Sequence, residues 1–215
     1  MSLVLYDLDG TLVDTLQDLT QAANAMLAQL GASPIGPEDV RRAVGRGVTE
    51  LVRGCLASHD PDRVQAGVRH FLDYYGRHLL DHSRLYPGAR ELLDHFRSRP
   101  QAVITNKPDP YARELLEGLG VSGYFFDIVA GDARYPKKPD PAAVLALARQ
   151  AGAVLADTLL IGDSPIDIET GRRSGARTAC VLHGFCQEGE LRAAGPDLLV
   201  RDFAELLAEA RRRAW

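Results

Sequence analysis

The chain is poor in the features that would place it outside a reducing compartment. It has three cysteines, Cys55, Cys180 and Cys186, an odd number with no Cys-x-x-Cys pair. That excludes a disulfide framework and a cysteine-ligated zinc site, and it reads as three reduced thiols. No apolar run reaches membrane-spanning length, and no basic stretch followed by an apolar one precedes the first motif. The expectation is therefore a cytoplasmic protein with no membrane partner. Excess positive charge is also missing. The net charge is −4, which argues against a nucleic-acid partner. The Arg211-Arg212-Arg213 run reads as a solvated last helical turn, where cations complement the helix dipole. His59, His70, His78, His82 and His95 are scattered without metal-ligand spacing, and His183 reads as a turn residue. There is no internal repeat and no low-complexity stretch. A chain of 215 residues holds one sizeable core, or a core plus a small insert.

What is present concentrates at strand ends. Leu3-Val4-Leu5-Tyr6 is a short apolar strand, and Asp7-Leu8-Asp9-Gly10-Thr11 follows it directly. A strand with both faces buried reads as a continuous apolar run. Two carboxylates two residues apart at its carboxyl end lie where open parallel sheets bind ligands. Close carboxylates repel each other, and a hard divalent cation is the usual remedy. Gly10 permits a sharp turn and a close backbone approach. Three further segments follow in order: Gln101-Ala102-Val103-Ile104-Thr105-Asn106-Lys107, Lys137-Lys138-Pro139-Asp140-Pro141, and Leu159-Leu160-Ile161-Gly162-Asp163-Ser164-Pro165-Ile166-Asp167.

The organisation is an α/β rhythm with one interruption. Leu16, Leu19, Ala23, Met26, Leu27 and Leu30 recur at helical spacing, and Gly31 supplies a stop. Pro37-Glu38 opens a second helix, Val48 to Ala57 a third, and Val64, Val68, Phe71, Leu72, Tyr75 and Leu79 mark a long fourth. No strand is expected between Thr15 and Tyr86. From Ala89 strands and helices alternate again, ending in a helix that Asp202 and Glu205 open as a capping box. The expected fold class is α/β, a Rossmann-like parallel sheet with helices on both faces. Residues 1–14 and 87–215 would form the core, and 15–86 an inserted, small, all-helical cap domain.

These four motifs resemble the haloacid dehalogenase-like superfamily: Asp-x-Asp-x-Thr, a Ser/Thr, a Lys, and an acidic Gly-Asp-x-x-x-Asp, over nearly the whole chain. Cap placement, Val44-Gly45-Arg46-Gly47 and Thr105-Asn106-Lys107-Pro108 look like its phosphoglycolate phosphatase branch. The resemblance implies Asp7 as nucleophile, in accord with what an ionised carboxylate can do, and Asp9 as general acid and base. Mg²⁺ would be held by Asp7, the Asp9 backbone carbonyl and Asp163, with Asp167 either a metal partner or an N-terminal helix acid. Thr105 would bond the phosphoryl group, and Lys138, preceding Pro-x-Pro, would neutralise it, leaving Lys137 as a surface charge. Gly10 and Thr11 would border the phosphate, the Asp9 and Gly10 amides helping to cradle it. Asn106 and Lys107 would touch substrate. Arg46 would either reach a substrate carboxylate or stay solvated.

Asp9 disfavours dehalogenation, in which halide leaves without a proton. The absence of any lysine from Thr15 to Tyr86 disfavours Schiff-base chemistry. The expectation is a phosphatase of small phosphorylated metabolites, 2-phosphoglycolate foremost. Alternatives are a pyrophosphatase, a sugar-phosphate or nucleotide phosphatase, a phosphomutase, or a non-catalytic phosphate-binding regulator. Monomer and homodimer are both open.

Overall fold

A computed structural model describes residues 1–131 and 134–215. From the N-terminus run β1 (Leu3–Tyr6), β2 (Val13–Asp14), α1 (Leu16–Gln29), α2 (Pro37–Ala43), α3 (Val48–Leu56), α4 (Pro61–His78) and β3 (Arg84–Leu85). Then come α5 (Ala89–His95), β4 (Gln101–Ile104), α6 (Tyr111–Gly118), β5 (Asp127–Val129), α7 (Ala142–Gln150) and β6 (Thr158–Gly162). The chain closes with α8 (Pro165–Ser174), β7 (Arg177–Val181), α9 (Glu188–Ala194), β8 (Leu198–Val200) and α10 (Phe203–Arg212).

Six of these strands form one parallel sheet in the order β5-β4-β1-β6-β7-β8. Successive side chains of a strand face opposite ways, and both faces here are covered. Leu3 and Leu5 pack with Ala102, Ile104, Leu160 and α7 residues Val144 and Leu147. Val4 and Tyr6 pack on the other face with Val103, Leu159, Leu92, Leu115 and Phe203. This double burial is why β1 shows no polar alternation. The chain steps outward from β1 through β4 to β5, then returns to β6 on the other side of β1. The crevice beyond the carboxyl ends of β1 and β6 is thus a topological switch point.

Residues 16–78 contribute helices only and stand outside this sheet. Their interior is Ala22, Ala23, Met26, Val52, Phe71 and Tyr75. The apolar spacing of α1 and α4 matches that interior, and Gly67 lets α3 and α4 approach, since a Cβ there would lie 2.7 Å from Val52 Cγ1. The two connections to the sheet pair with each other. β2 and β3 are antiparallel, with Val13 opposite Leu85 and Asp14 opposite Arg84. The expectation of no strand up to Tyr86 is corrected here: two residues are too short for alternation to register.

Asp18 of α1 ties down this crossing. It is wholly buried and accepts from the backbone N–H of His82 (3.0 and 3.1 Å) and Ser83 (2.8 Å) and from Ser83 Oγ (2.7 Å). Asp18→Ala strands these donors and will lower the unfolding free energy by about 3 kcal/mol. Equilibrium denaturation will show this as a lower midpoint at an unchanged slope.

Candidate active site

Strand ends, and for Asp167 a helix start, aim the acidic and hydroxylic groups of interest. Asp7 continues β1, its N–H donating to Ile161 O at 2.9 Å. Thr105 continues β4 by donating to Val129 O at 3.0 Å. Asp163 directly follows β6. Asp167 is the third residue of α8 and closes a capping box with Ser164. Its Oδ2 accepts from Ser164 Oγ at 2.6 Å, leaving Oδ1 to face Lys138.

Lys138 is the buried cation of this group. Its Nζ lies 2.8 Å from Asp7 Oδ1 and 2.6 Å from Asp167 Oδ1. Burial alone would lower the ammonium pKa, but Asp167 and Asp7 more than offset it and hold it above the ordinary lysine range. Lys137 is exposed, and its ammonium lies beside Gly47 of the helical insert, 2.7 Å from where a Cβ would stand.

Asp7, Asp163 and Asp167 each offer a carboxylate oxygen, all within 4.8 Å of one another. Asp163 accepts from Thr11 Oγ1 at 2.7 Å and from the Phe185 N–H at 2.7 Å. Room for it comes from two glycines. A Cβ on Gly10, whose φ is +80°, would lie 2.4 Å from Asp163 Oδ2, and one on Gly184 would lie 2.3 Å from Asp163 Cβ.

Crowding three acids around one ammonium has an electrostatic consequence. Burial raises the Asp7 carboxyl to about 7, with Lys138 opposing and Asp167 adding to the rise. Burial, then the neighbouring Asp7 and Asp167, raise Asp163 to about 8. Both titrate near 3.8 in an unfolded chain. Between roughly pH 4 and 8 the unfolded chain releases protons that the folded chain keeps, so these two groups erode stability as pH rises. A divalent cation on the ionised carboxylates would reverse that loss. A Tm gain on adding Mg²⁺ is therefore expected to be larger at about pH 8 than at about pH 5.5. Thermal denaturation at the two pH values checks this, and a gain that shrinks with pH would place the cation away from this trio.

Asp9 faces away from Lys138. Its Oδ1 accepts from Thr15 Oγ1 at 2.8 Å, and Lys107 Nζ donates to Oδ1 at 2.9 Å and reaches Oδ2 at 3.3 Å. The Lys107 ammonium also lies 4.5 Å from the centre of the Tyr75 ring of α4. Burial would lower the Lys107 pKa, but Asp9 and Tyr75 reverse the sign and hold it high. Above these groups is a cavity of about 50 Å³. The sheet side supplies Asp7, Asp9, Thr105 and Lys107, and the insert supplies Leu19, Leu51, Phe71, Leu72 and Tyr75.

The structure thus brings together Asp7, Asp9, Thr105, Lys138, Asp163 and Asp167, all expected at the site. Four expected substrate contacts are placed differently. Thr11 spends its hydroxyl on Asp163. The Gly10 N–H donates to Val13 O at 2.9 Å, so it is not turned to phosphate. Asn106 uses its whole amide on protein: Nδ2 donates to Gly45 O at 2.8 Å and Lys138 O at 3.0 Å, and Oδ1 accepts from Lys138 N at 2.9 Å. Arg46 is exposed and does not line the cavity, although Gly45 and Gly47 do. Of the two readings for Asp167, the helix-capping one is met in full while its other oxygen still joins the acidic trio. Tyr75 and Asp18 escape a sequence reading, because an aromatic at helical spacing reads as core and a first-turn acid reads as a helix-dipole partner.

A parallel sheet whose switch point gathers a strand-end carboxylate, a paired lysine and a further acidic pair defines an enzyme built to handle a compact, highly charged group. Residues 4–181 match the model of the haloacid dehalogenase-like hydrolases. A phosphoglycolate phosphatase of Chromobacterium violaceum is 37% identical over 210 residues, covering 94% of this chain and 93% of its own. Phosphoglycolate phosphatase 1 of Pseudomonas aeruginosa is 36% identical, covering 95% and 78%. The crystal structure of a predicted phosphoglycolate phosphatase from Haemophilus somnus 129pt superposes with a TM-score of 0.92 at 28% identity, over 98% of both chains. The chain belongs to the haloacid dehalogenase-like hydrolases. It is a phosphoric monoester hydrolase, and its substrates are small phosphorylated compounds. No helix among the described residues is long and apolar enough to cross a membrane.

Proposed function

We propose that this enzyme is a Mg²⁺-dependent phosphatase of small phosphomonoesters, foremost 2-phosphoglycolate, working through an aspartyl-phosphate on Asp7. The observation that carries the reading is the placement of two unlike carboxylates on one turn. Asp7 is paired with Lys138 among acids, and Asp9 is paired with Lys107 beneath the helical insert. Both line one cavity. Separate environments are what two carboxylates need in order to take nucleophilic and acid–base roles.

The residues present fit a hard divalent cation. Asp7, Asp163 and Asp167 are oxygen donors held close together, and burial with mutual repulsion leaves them short of positive charge. Asp7 and Asp163, with the Asp9 carbonyl, would hold Mg²⁺, and Asp167 would complete the acidic surround. When bound, the cation supplies charge neutralisation for the phosphoryl oxygens and the attacking carboxylate.

This chain's own residues account for the remaining steps. An Asp7 carboxylate oxygen attacks phosphorus, the ester P–O bond breaks, and Asp9 gives its proton to the leaving oxygen. Water then attacks the phosphoryl group, Asp9 takes up its proton, and Asp7 departs as carboxylate. Lys138 balances charge beside Asp7, and the Thr105 hydroxyl bonds the group in transit. Residues 15–86 act as the cap: they wall the cavity and exclude bulk water during transfer. Unpaired Cys55, Cys180 and Cys186 support a cytoplasmic site of action.

Phosphate release from a panel of small esters, with Mg²⁺ and with excess chelator, tests this. The expected outcome is metal-dependent release with the highest kcat/KM for 2-phosphoglycolate. Release that survives chelation, or a sugar phosphate or pyrophosphate as the best substrate, would overturn the corresponding part.

A further inference from the structure

The substrate reading above leaves one requirement unmet. An acid such as 2-phosphoglycolate carries a carboxylate as well as a phosphate, and a buried charge needs a partner. Arg46, the cation expected there, is exposed and off the cavity. Among the described residues that line the cavity, Lys107 is the single cation.

The geometry around Lys107 suits a second anion. An ammonium has three donors. Asp9 occupies the side facing its two oxygens, while another side faces Tyr75 of the cap. Tyr75 is almost wholly buried, and its hydroxyl has no hydrogen-bond partner of good geometry, although the Lys107 ammonium lies beside it. A buried donor without a partner is uncommon and calls for an explanation. Burial pushes that hydroxyl up to about 12, so it stays protonated and can donate. Both residues line the cavity, Lys107 from the core and Tyr75 from the cap.

We propose that Lys107 and Tyr75 form the carboxylate-reading subsite, and that their position selects esters whose carboxylate is one carbon from the phosphorylated oxygen. The proposal rests on the small-acid reading of the previous subsection. Asp9 must reach the ester oxygen to protonate it, and Lys107 Nζ is 2.9 Å from Asp9 Oδ1. With Asp9 on the ester oxygen, the cation would be within reach of a carboxylate on the adjacent carbon. Much of the remaining wall is apolar, with Leu19, Leu51, Phe71 and Leu72, and an ion against apolar walls is strongly disfavoured. A 2-phosphoryloxy acid fits, whereas a 3-phosphoryloxy acid does not.

The test compares kcat/KM for 2-phosphoglycolate with that for 2-phosphoglycolamide, its neutral isostere, in wild type, Lys107→Met and Tyr75→Phe. Lys107 also supports Asp9, but that loss lowers both substrates alike and cancels in the ratio. Wild type is expected to favour the acid by about 10- to 100-fold, the worth of a charge-assisted hydrogen bond. Lys107→Met is expected to bring the ratio near one, and Tyr75→Phe, which keeps the ring, to lower it by about 3- to 10-fold. A wild-type preference that survives in Lys107→Met overturns the subsite alone. A wild type that hydrolyses acid and amide equally, or neither, overturns the small-acid reading itself.

Discussion

Asp7→Asn will lower phosphate release by at least about 10⁴-fold in kcat, the scale on which a lost nucleophile shows, while the chain stays folded. An amide has nearly the shape of the carboxylate but is a poor nucleophile, so the loss falls on the chemical step. Stability should move the other way. Burial holds the Asp7 carboxyl at about 7, which means the folded chain carries an unfavourable charge at pH 8 when no metal is bound. The neutral amide removes that burden, and the metal-free variant will melt no lower than wild type at that pH. Initial-rate assays with a thermal scan on the same preparation check both parts. A variant retaining a tenth of wild-type turnover would move the nucleophile to another residue.

Lys138→Met should be the most damaging change to the electrostatics of the site. Among the described residues Lys138 is the one cation that contacts both Asp7 and Asp167, and Asp163 makes no ion pair there. Removing one member of a buried ion pair costs roughly 3 to 5 kcal/mol because the remaining charges stay behind. For a chain of this size that is a Tm drop of about 10 °C. Turnover should fall about 10²- to 10³-fold, the usual effect of losing one charge-stabilising donor. The mechanism has a distinctive signature. A divalent cation on the same carboxylates would supply positive charge, so saturating Mg²⁺ is expected to recover more Tm in the variant than in wild type. If metal stabilises both equally, the lysine and the metal do not share ligands.

Much of this was legible in the sequence, for a physical reason. Phosphoryl transfer restricts residue types at strand ends, and Asp7, Asp9, Thr105, Lys138 and Asp163 each sit just past an apolar run or before a Pro-x-Pro. Residue type and address are written in the chain, whereas direction is not. Thr11 and Asn106 stand beside the chemistry, yet their side chains turn to Asp163 and to the Lys138 backbone. Arg46, between two glycines of positive φ, turns to solvent. Tyr75 has the spacing of a core aromatic and is one, until its hydroxyl is considered. The β2–β3 pair was hidden because two residues carry no period.

The central place of β1 also bears on how the protein is made. Leu3 pairs with Thr158 in β6, and Val4 with Gln101 in β4. Of the six strands of this sheet β1 is made first, yet its second neighbour is made only with β6. At translation rates of 5 to 20 residues per second, roughly 8 to 30 s separate the synthesis of Leu3 from that of its β6 partner. Throughout that interval the β6-facing edge of Leu-Val-Leu-Tyr is unpaired, while α1 to α4, whose contacts are local, can already be packed. Helices α1 to α4 can thus fold ahead of the sheet, and the strand that carries Asp7 gains its second neighbour only once residues 158–161 are made.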